Sequence, residues 1–265
     1  MMDMNNNDDS KVLSTRSSDY VASAAKAVLG AVPFAGSLLA ELAGTVIPNQ
    51  RLDRVAKFAA DLEKHIADLD QLFVRSQLTN ENFTDLLEEG IRQAARSLSD
   101  ERRQYLASVI ANGVRSDDVE FFESKHLLRI LSEINDVEVI ILRFYLVAVM
   151  GGDESFREKH KEIIMTQSAY LGASQIILDK ATLHDSYKEH LTSLGLLRHR
   201  YRTDIRTKQP EFDSFSGAPK IAGYELTSLG RLLLRHIGLS EEEKKGQQSP
   251  APHSSPGAGS ESAEP

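Results

Sequence analysis

The chain has 265 residues, enough for one or two domains, and 41% of them are apolar, as in an ordinary globular protein. It contains no cysteine, which excludes disulfide bonds and thiolate metal sites. The formal net charge of -8 disfavours non-specific binding of the whole molecule to nucleic acid, although a local basic patch can still bind it.

Both ends of the chain are polar and poor in large apolar residues. Residues 1–18 lack hydrophobic periodicity and do not resemble a signal peptide, so they predict a disordered tail on a cytoplasmic protein. Residues 241–265 are acidic at first and then rich in Ser, Pro, Gly and Ala. They predict a second disordered tail, because burial of so few apolar side chains cannot offset the entropy cost of ordering.

The segment 19–50 has very little charge: from Tyr20 to Gln50 only Lys26 and Glu41 are charged. Turn formers near its middle predict two short helices, 19–30 and 36–47, joined by a tight turn. One interpretation is a buried helical hairpin that packs closely through Gly and Ala. The other is a hairpin that associates with a membrane, because glycines let helices approach closely in lipid. The residues concerned are Gly30, Pro33, Phe34, Gly36, Leu38, Leu39 and Gly44.

An amphipathic helix is predicted from about residue 51 to 75, because apolar residues recur there at steps of three and four. This stripe favours packing in a helical bundle that spans 51–135, and pairing of two chains into a homodimer through the same stripe stays an alternative. The stripe consists of Leu52, Val55, Ala59, Leu62, Ile66, Leu69 and Phe73.

Capping residues divide the rest of the bundle into helices. Asn80 or Asn82 caps a helix that ends near Ser97, and Ser99 caps another that ends at Asn112-Gly113. A third helix is predicted over 118–134.

The segment 136–240 is predicted to form a second domain. Its first helix, 137–150, follows the cap Asn135-Asp136 and is apolar nearly all round, so it is expected to lie at the centre of a core. Helices over 154–165 and 182–194 follow, with 166–181 as a connection or a further helix.

A five-residue phrase occurs twice in this domain, as 191–195 and 226–230, both reading Leu-Thr-Ser-Leu-Gly. Gly195 is predicted to end a helix and release a strand, 196–201, whereas Thr227 or Ser228 caps a last helix, 228–238. The polar stretch 203–217 suits an extended wing, and 220–226 the returning strand. The sequence therefore predicts a mostly α protein: a helical bundle followed by a winged-helix-like domain with a two-stranded wing.

Winged helices commonly place a helix in the major groove of DNA and a wing on its phosphates. Over residues 198–208, five basic residues stand against one acid, Asp204, for a local charge of +4, which favours phosphate contact. The helix 182–194 argues against base recognition, because it has no Arg, Asn or Gln. A solvated basic strand without a partner is the alternative. The candidate nucleic-acid contacts are Arg198, Arg200, Tyr201, Arg202, Arg206, Lys208 and Lys188.

The motifs of common enzymes are missing from the sequence. It has no phosphate-binding Gly-rich loop, no Gly-x-Ser-x-Gly and no His-Glu-x-x-His, and its eight histidines are scattered. The chain is therefore interpreted as a non-enzymatic protein without a catalytic, cofactor or metal site.

Two motifs resemble those of bacterial helical proteins of the abortive-infection alpha type. They are the phrase at 226–230 and the stretch Arg103-Gln104-Tyr105-Leu106-Ala107-Ser108-Val109-Ile110-Ala111-Asn112. The resemblance covers about 80–240 and implies a role in phage defence. Together with the hairpin at 19–50, it predicts a protein that binds an unknown macromolecule through its winged-helix end and associates peripherally with a membrane. The alternative is a DNA-binding transcriptional regulator.

Overall fold

The computed structural model describes residues 51–77, 79–115, 121–147, 153–165, 170 and 172–240. The predicted tails, 1–18 and 241–265, and the predicted hairpin at 19–50 lie outside these residues. Within the described part, the protein is a helical bundle followed by a winged-helix-like domain with one two-stranded antiparallel sheet. The predicted fold class is confirmed. None of the described helices has the length and apolar character needed to span a bilayer.

Ten helices and two strands make up this part of the chain. In chain order they are α1 (Leu52–Ile66), α2 (Gln71–Gln77), α3 (Glu81–Arg96), α4 (Asp100–Arg115), α5 (Phe121–Glu133), α6 (Asp136–Leu146), α7 (Glu154–Lys159), α8 (Lys161–Ile164), α9 (Gln175–Ser193), β1 (Leu197–Tyr201), β2 (Ile221–Leu226) and α10 (Ser228–His236).

The bundle consists of α1, α3, α4 and α5. Helix α1 packs on α3 and α4, and α5 packs on the same two helices. Its core contains large side chains that are less than 2% exposed, including Phe58, Leu62, Phe83, Leu106 and Leu127. Burial of each such side chain contributes roughly 1.5–3 kcal/mol.

The predicted helix 51–75 is in fact two helices, and this part of the prediction is wrong. Helix α1 ends at Ile66, and α2 begins at Gln71 after a turn. The carboxylate of Asp70 accepts hydrogen bonds from the backbone N–H groups of Leu72 and Phe73 at 2.8 and 2.9 Å. Asp70 thus satisfies two free N–H groups at the start of α2, where a new helix begins.

The stripe on this segment faces the chain's own bundle. Val55, Leu62 and Ile66 are 0%, 1% and 5% exposed, and Leu69 is partly buried against the core. Phe73, in α2, is 42% exposed. The stripe therefore packs within the bundle of its own chain, as the first interpretation expects. Pairing of two chains into a homodimer stays a prediction.

Two of the predicted bundle caps are present. The side chain of Asn80 accepts a hydrogen bond from the N–H of Asn82 at 2.9 Å, and that of Ser99 accepts one from Arg102 at 2.9 Å. Helix α4 runs to Arg115, beyond its predicted end at Asn112-Gly113. Gly113 serves close packing instead, because a Cβ there would lie 2.5 Å from Oγ of Ser124 on α5.

Helix α6 is the centre of the C-terminal domain, as predicted, and packs against α8, α9, α10 and β2. It ends at Leu146, before the predicted end at residue 150. Its charged residues Glu138 and Arg143 are only 2% and 4% exposed. Glu138 forms a capping box with Asn135 and lies 2.6 Å from Nδ1 of His190 on α9. This contact ties the start of α6 to the helix that precedes the sheet.

The other predicted helices of this domain have different bounds. The predicted helix 154–165 is two short helices, α7 and α8, separated at His160. Helix α9 begins at Gln175, seven residues before the predicted start at 182, so part of the predicted connection is helical.

The bundle and the C-terminal domain share one continuous core, which crosses the predicted boundary between 135 and 136. Helix α10 packs on both α4 and α6. At this contact the side chain of Asn112 donates a hydrogen bond to the backbone carbonyl of His236 at 3.0 Å. The side chain of His236 is 5% exposed, and burial, followed by the nearby Arg235, lowers the pKa of His236.

The lowered pKa of His236 predicts a pH dependence of stability. The unfolded chain binds a proton near the ordinary histidine value of 6.5, whereas the folded chain binds it only at lower pH. Stability is therefore unaffected by His236 above that value and falls as the pH drops below it. We expect His236→Leu to flatten the decline in the urea midpoint between about pH 7 and pH 5. The exposed His126, changed to Leu, is the control, and an equal flattening in both variants would contradict the assignment.

Candidate nucleic-acid interface

The base of the wing is where the two repeated phrases meet. Gly195 adopts a φ of +72° just after α9, and the N–H of Leu196 donates to the carbonyl of Leu191 at 2.9 Å, which ends the helix as predicted. In the second phrase, Thr227 caps α10 by accepting a hydrogen bond from the N–H of Gly230 at 3.0 Å. Its hydroxyl also donates to the carbonyl of Gly195 at 2.7 Å. The phrases thus join the two ends of the wing.

Strands β1 and β2 form an antiparallel ladder whose two faces differ. Leu197 pairs with Leu226 and both are buried, and two residues further along His199 pairs with Tyr224. At the alternate positions of β1, Arg198 and Arg200 are exposed. Since side chains alternate along a strand, one face of the ladder packs on the helices and the other presents arginines to solvent.

A polar and aromatic cluster holds the ladder on α9. The carboxylate of Glu189 accepts hydrogen bonds from the hydroxyl of Tyr224 at 2.6 Å and from Nε2 of His199 at 3.1 Å. These two bonds hold the pKa of Glu189 below its usual range, while burial and the bond to Glu189 raise the pKa of Tyr224. The ring of Tyr145 on α6 lies 6.3 Å from that of Tyr224. The wing is therefore fixed at its base.

Beyond the ladder the wing branches into two short hairpins. The register of the ladder shifts between Arg200 and Tyr201, where Ala222 of β2 is skipped, and three backbone hydrogen bonds then form a closed cycle. The N–H of Arg202 donates to the carbonyl of Lys220, the N–H of Lys220 to that of Glu211, and the N–H of Glu211 to that of Arg202, each at 2.8 Å. The ladder, the hairpin 203–210 and the hairpin 212–219 all start from this junction.

The two hairpins have the same turn, built on a nine-residue repeat. In the first, Asp204 Oδ1 accepts hydrogen bonds from the N–H groups of Arg206 and Thr207 at 2.9 and 2.7 Å. The corresponding Asp213 Oδ1 accepts from the N–H groups of Phe215 and Ser216 at 3.0 and 2.8 Å. The positive φ needed at the end of each turn, +58° and +69°, is adopted by Lys208 and Gly217. Since backbone and side-chain N–H and O–H donors surround each carboxylate, the pKa values of Asp204 and Asp213 are lowered.

Four of the predicted contact residues form the free cationic surface of the wing: Arg200, Arg202, Arg206 and Lys208. All four are exposed, and within the described residues none of their side chains has an ion-pair partner. Arg198 differs, because its Nε lies 2.5 Å from Oε1 of Glu225, its partner across the ladder. We call the four unpaired residues the wing cations.

Lys188, the other cation predicted to touch nucleic acid, does not belong to this surface. Its side chain is 15% exposed, forms an ion pair with Asp185 at 2.6 Å and lies 5.3 Å above the ring of Tyr224. Lys188 therefore stabilises the base of the wing.

The outward side of α9 is not built to approach phosphates. Its exposed residues include Asp179, Lys180 and Asp185, and two large apolar side chains, Ile176 and Leu183, are 68% and 54% exposed. Its first residue, Gln175, donates a hydrogen bond to Asp179. The helix that would enter the major groove thus presents acidic and apolar groups together with a single exposed lysine, Lys180.

Large apolar side chains are also exposed along the wing, which the sequence interpretation missed. Ile205 and Phe215, within the hairpin loops, are 88% and 100% exposed, and Phe212 is 57% exposed. Tyr201, a predicted contact, is 46% exposed at the end of β1. The sequence does contain a signal for the two hairpin tips, which are the loops with Ile205 and Phe215. Asp204 and Asp213 are nine residues apart, and each is followed by a hydroxyl residue and later by a proline.

A cavity of about 550 Å³ lies between α4, α6 and α7. Apolar and aromatic groups of Tyr105, Val139, Ile140 and Phe156 contribute to its lining, beside the ion pair of Arg143 with Asp153. Two hydrogen bonds between a serine hydroxyl and a carboxylate lie at or beside it, from Oγ of Ser99 to Glu101 at 3.5 Å and from Oγ of Ser155 to Asp153 at 3.3 Å. The described residues contain no group of three His, Cys, Asp or Glu side chains that could hold a metal ion.

The fold and the wing together define a helical protein with a winged-helix-like end that presents a basic and aromatic wing. No protein-family model matches the chain, and no curated protein or solved structure matches it either.

Proposed function

We propose that this chain is a non-enzymatic protein that binds nucleic acid through its wing, chiefly by contact with the phosphate backbone. The observation that carries the proposal is the set of wing cations, Arg200, Arg202, Arg206 and Lys208, which are exposed and unpaired in the described part of an acidic protein. Positive side chains of this kind release counterions from nucleic acid on binding, which supplies sequence-independent affinity.

Base reading by α9 is less favoured. The exposed Asp179 and Asp185 on that helix disfavour the approach of phosphates, and Lys188 is already paired with Asp185. A transcriptional regulator that selects its operator with this helix therefore fits the geometry poorly. Phage defence, which the resemblance implies, does not require base reading and stays part of the proposal as its biological setting.

The test replaces the four wing cations with alanine and measures binding to fluorescent oligonucleotides by anisotropy over a range of salt concentrations. Four lost phosphate contacts should weaken binding and reduce the salt slope of log K by roughly three. The slope is informative because it reports the number of contacts independently of protein concentration.

The control is a variant with the same change in net charge, in which Lys64, Arg92, Lys125 and Arg129 of the bundle become glutamine. These four cations are paired with acids on the bundle surface. Wild-type affinity and slope are expected for this variant. Equal weakening in both variants, or no binding by the wild type, overturns the proposal.

A further inference from the structure

The exposed aromatic side chains of the wing require an explanation that phosphate contact does not supply. Phe215 has its whole side-chain surface in water, and Phe212 and Tyr201 are about half exposed. Exposed apolar groups that form a patch mark interaction sites, and these three rings all belong to the wing. The wing cations are interleaved with these rings along the chain: Arg200 and Arg202 flank Tyr201, and Arg206 follows Ile205.

The tips are held rigidly, as a binding surface requires. Asp213 fixes the backbone of Phe215 through the hydrogen bond from its N–H at 3.0 Å, and the N–H of Gly217 closes the turn on the carbonyl of Asp213 at 2.9 Å. Asp204 does the same for the first hairpin. Since the loop is already ordered, contact with Phe215 costs little conformational entropy.

We propose that the wing takes single-stranded nucleic acid, with unpaired bases stacked on Phe215, Phe212 and Tyr201 and phosphates bound by the wing cations. The inference rests on the proposed function and names its substrate class. Aromatic platforms in a basic setting bind single strands without sequence preference, because every base has a π face. A duplex hides those faces in its own stack, and α9 offers no alternative way to read it.

A membrane surface would also attract cations and apolar tips, but it fits less well. Asp213 lies two residues before Phe215 and Asp204 one residue before Ile205, and the hydrogen bonds within the turns lower the pKa of both carboxylates and so keep them charged. Insertion of either tip into the apolar part of a bilayer would carry a carboxylate with it, which is strongly unfavourable. A base stacked on the ring of Phe215 leaves that carboxylate in water.

The experiment uses the absence of tryptophan from the chain. In the full-length Phe215→Trp protein the new indole is the only one, so its fluorescence reports contact at that tip. We expect addition of oligo(dT) to quench this fluorescence, and anisotropy to show weaker binding of a duplex of matched length. Phe215→Leu keeps an apolar tip without a ring and should bind oligo(dT) about tenfold more weakly than the wild type. Tyr170→Ala, at an aromatic residue 59% exposed outside the wing, should bind like the wild type.

The outcomes separate the two proposals. If anisotropy shows binding but the indole is not quenched, or if single strand and duplex bind equally, stacking is overturned while wing-mediated binding stands. If neither form binds, the proposed function fails and stacking fails with it. Vesicles of phosphatidylserine and phosphatidylcholine are the third arm. A blue shift of the indole with vesicles, retained vesicle binding in Phe215→Leu and no quenching by oligo(dT) would assign the tips to a membrane instead.

Discussion

Asp153→Asn is expected to lower the free energy of unfolding by about 3–5 kcal/mol, because it leaves a buried guanidinium without its opposing charge. The side chains of Arg143 and Asp153 are 5% and 12% exposed, and Nη2 of Arg143 lies 2.6 Å from Oδ2 of Asp153. Asparagine keeps the oxygen that caps α7 and tolerates the φ of +40° at this position, so the charge is the main change.

Urea unfolding at neutral pH provides the measurement, with Asp85→Asn as the matched control. Asp85 is paired with Lys125 on the bundle surface, with side chains 56% and 46% exposed, so its loss should cost less than about 1 kcal/mol. Combining Asp153→Asn with Arg143→Met should recover much of the lost stability, since no charge then remains buried. An Asp153→Asn cost no larger than that of Asp85→Asn would show that solvent screens the Arg143 pair.

Much of the fold follows from local signals in the sequence. Asn80, Asn135 and Thr227 each accept a backbone hydrogen bond at the helix start that the sequence predicts, and Gly195 has the positive φ predicted to end α9. These interactions span a few residues, so a cap and its helix can be recognised from the residues themselves.

The structure differs from the sequence prediction where contacts between residues far apart in the sequence determine the local structure. Helix α4 passes through Gly113 because the glycine makes room for Ser124 on α5, a contact between helices that periodicity does not encode. Glu138 is buried in contact with His190, 52 positions away, although a glutamate usually predicts an exposed face. The break after Ile66 is different: Asp70 is a local signal, but the apolar stripe continues across it and masks the turn.

The sequence predicted the charged residues of the candidate site, but it did not predict the two hairpins that carry some of them. Five of the six predicted cations lie on the wing, and four of them are unpaired within the described chain. The two hairpins were missed because their side chains have no hydrophobic period. The two hairpins are instead marked by a nine-residue sequence repeat, in which Asp204 and Asp213 are each followed by residues that donate hydrogen bonds to them. Aligning the first hairpin sequence with the second makes this repeat visible.

Gly230→Ala is expected to destabilise the protein by about 3 kcal/mol, although alanine is the better helix former by about 1 kcal/mol. A Cβ at this position in α10 would lie 2.4 Å from the carbonyl oxygen of Leu196 and 2.6 Å from Cδ1 of Leu226. The carbonyl cannot move away freely, since it accepts a hydrogen bond from the N–H of Thr227 at 3.1 Å.

Gly195, the same position of the first phrase, is the matched comparison. A Cβ there would find only Cδ2 of Leu229 at 3.9 Å, so space is ample and the cost of Gly195→Ala, about 1–2 kcal/mol, comes from its φ of +72°. Asparagine tolerates that conformation, so Gly195→Asn should be milder than Gly195→Ala, whereas Gly230→Asn should be worse than Gly230→Ala. Urea midpoints of the four variants decide between the causes. If the Ala and Asn variants rank in the same order of stability at both positions, one constraint governs both glycines. If they rank in opposite orders, Gly195 is required for its backbone conformation and Gly230 for close packing at the base of the wing.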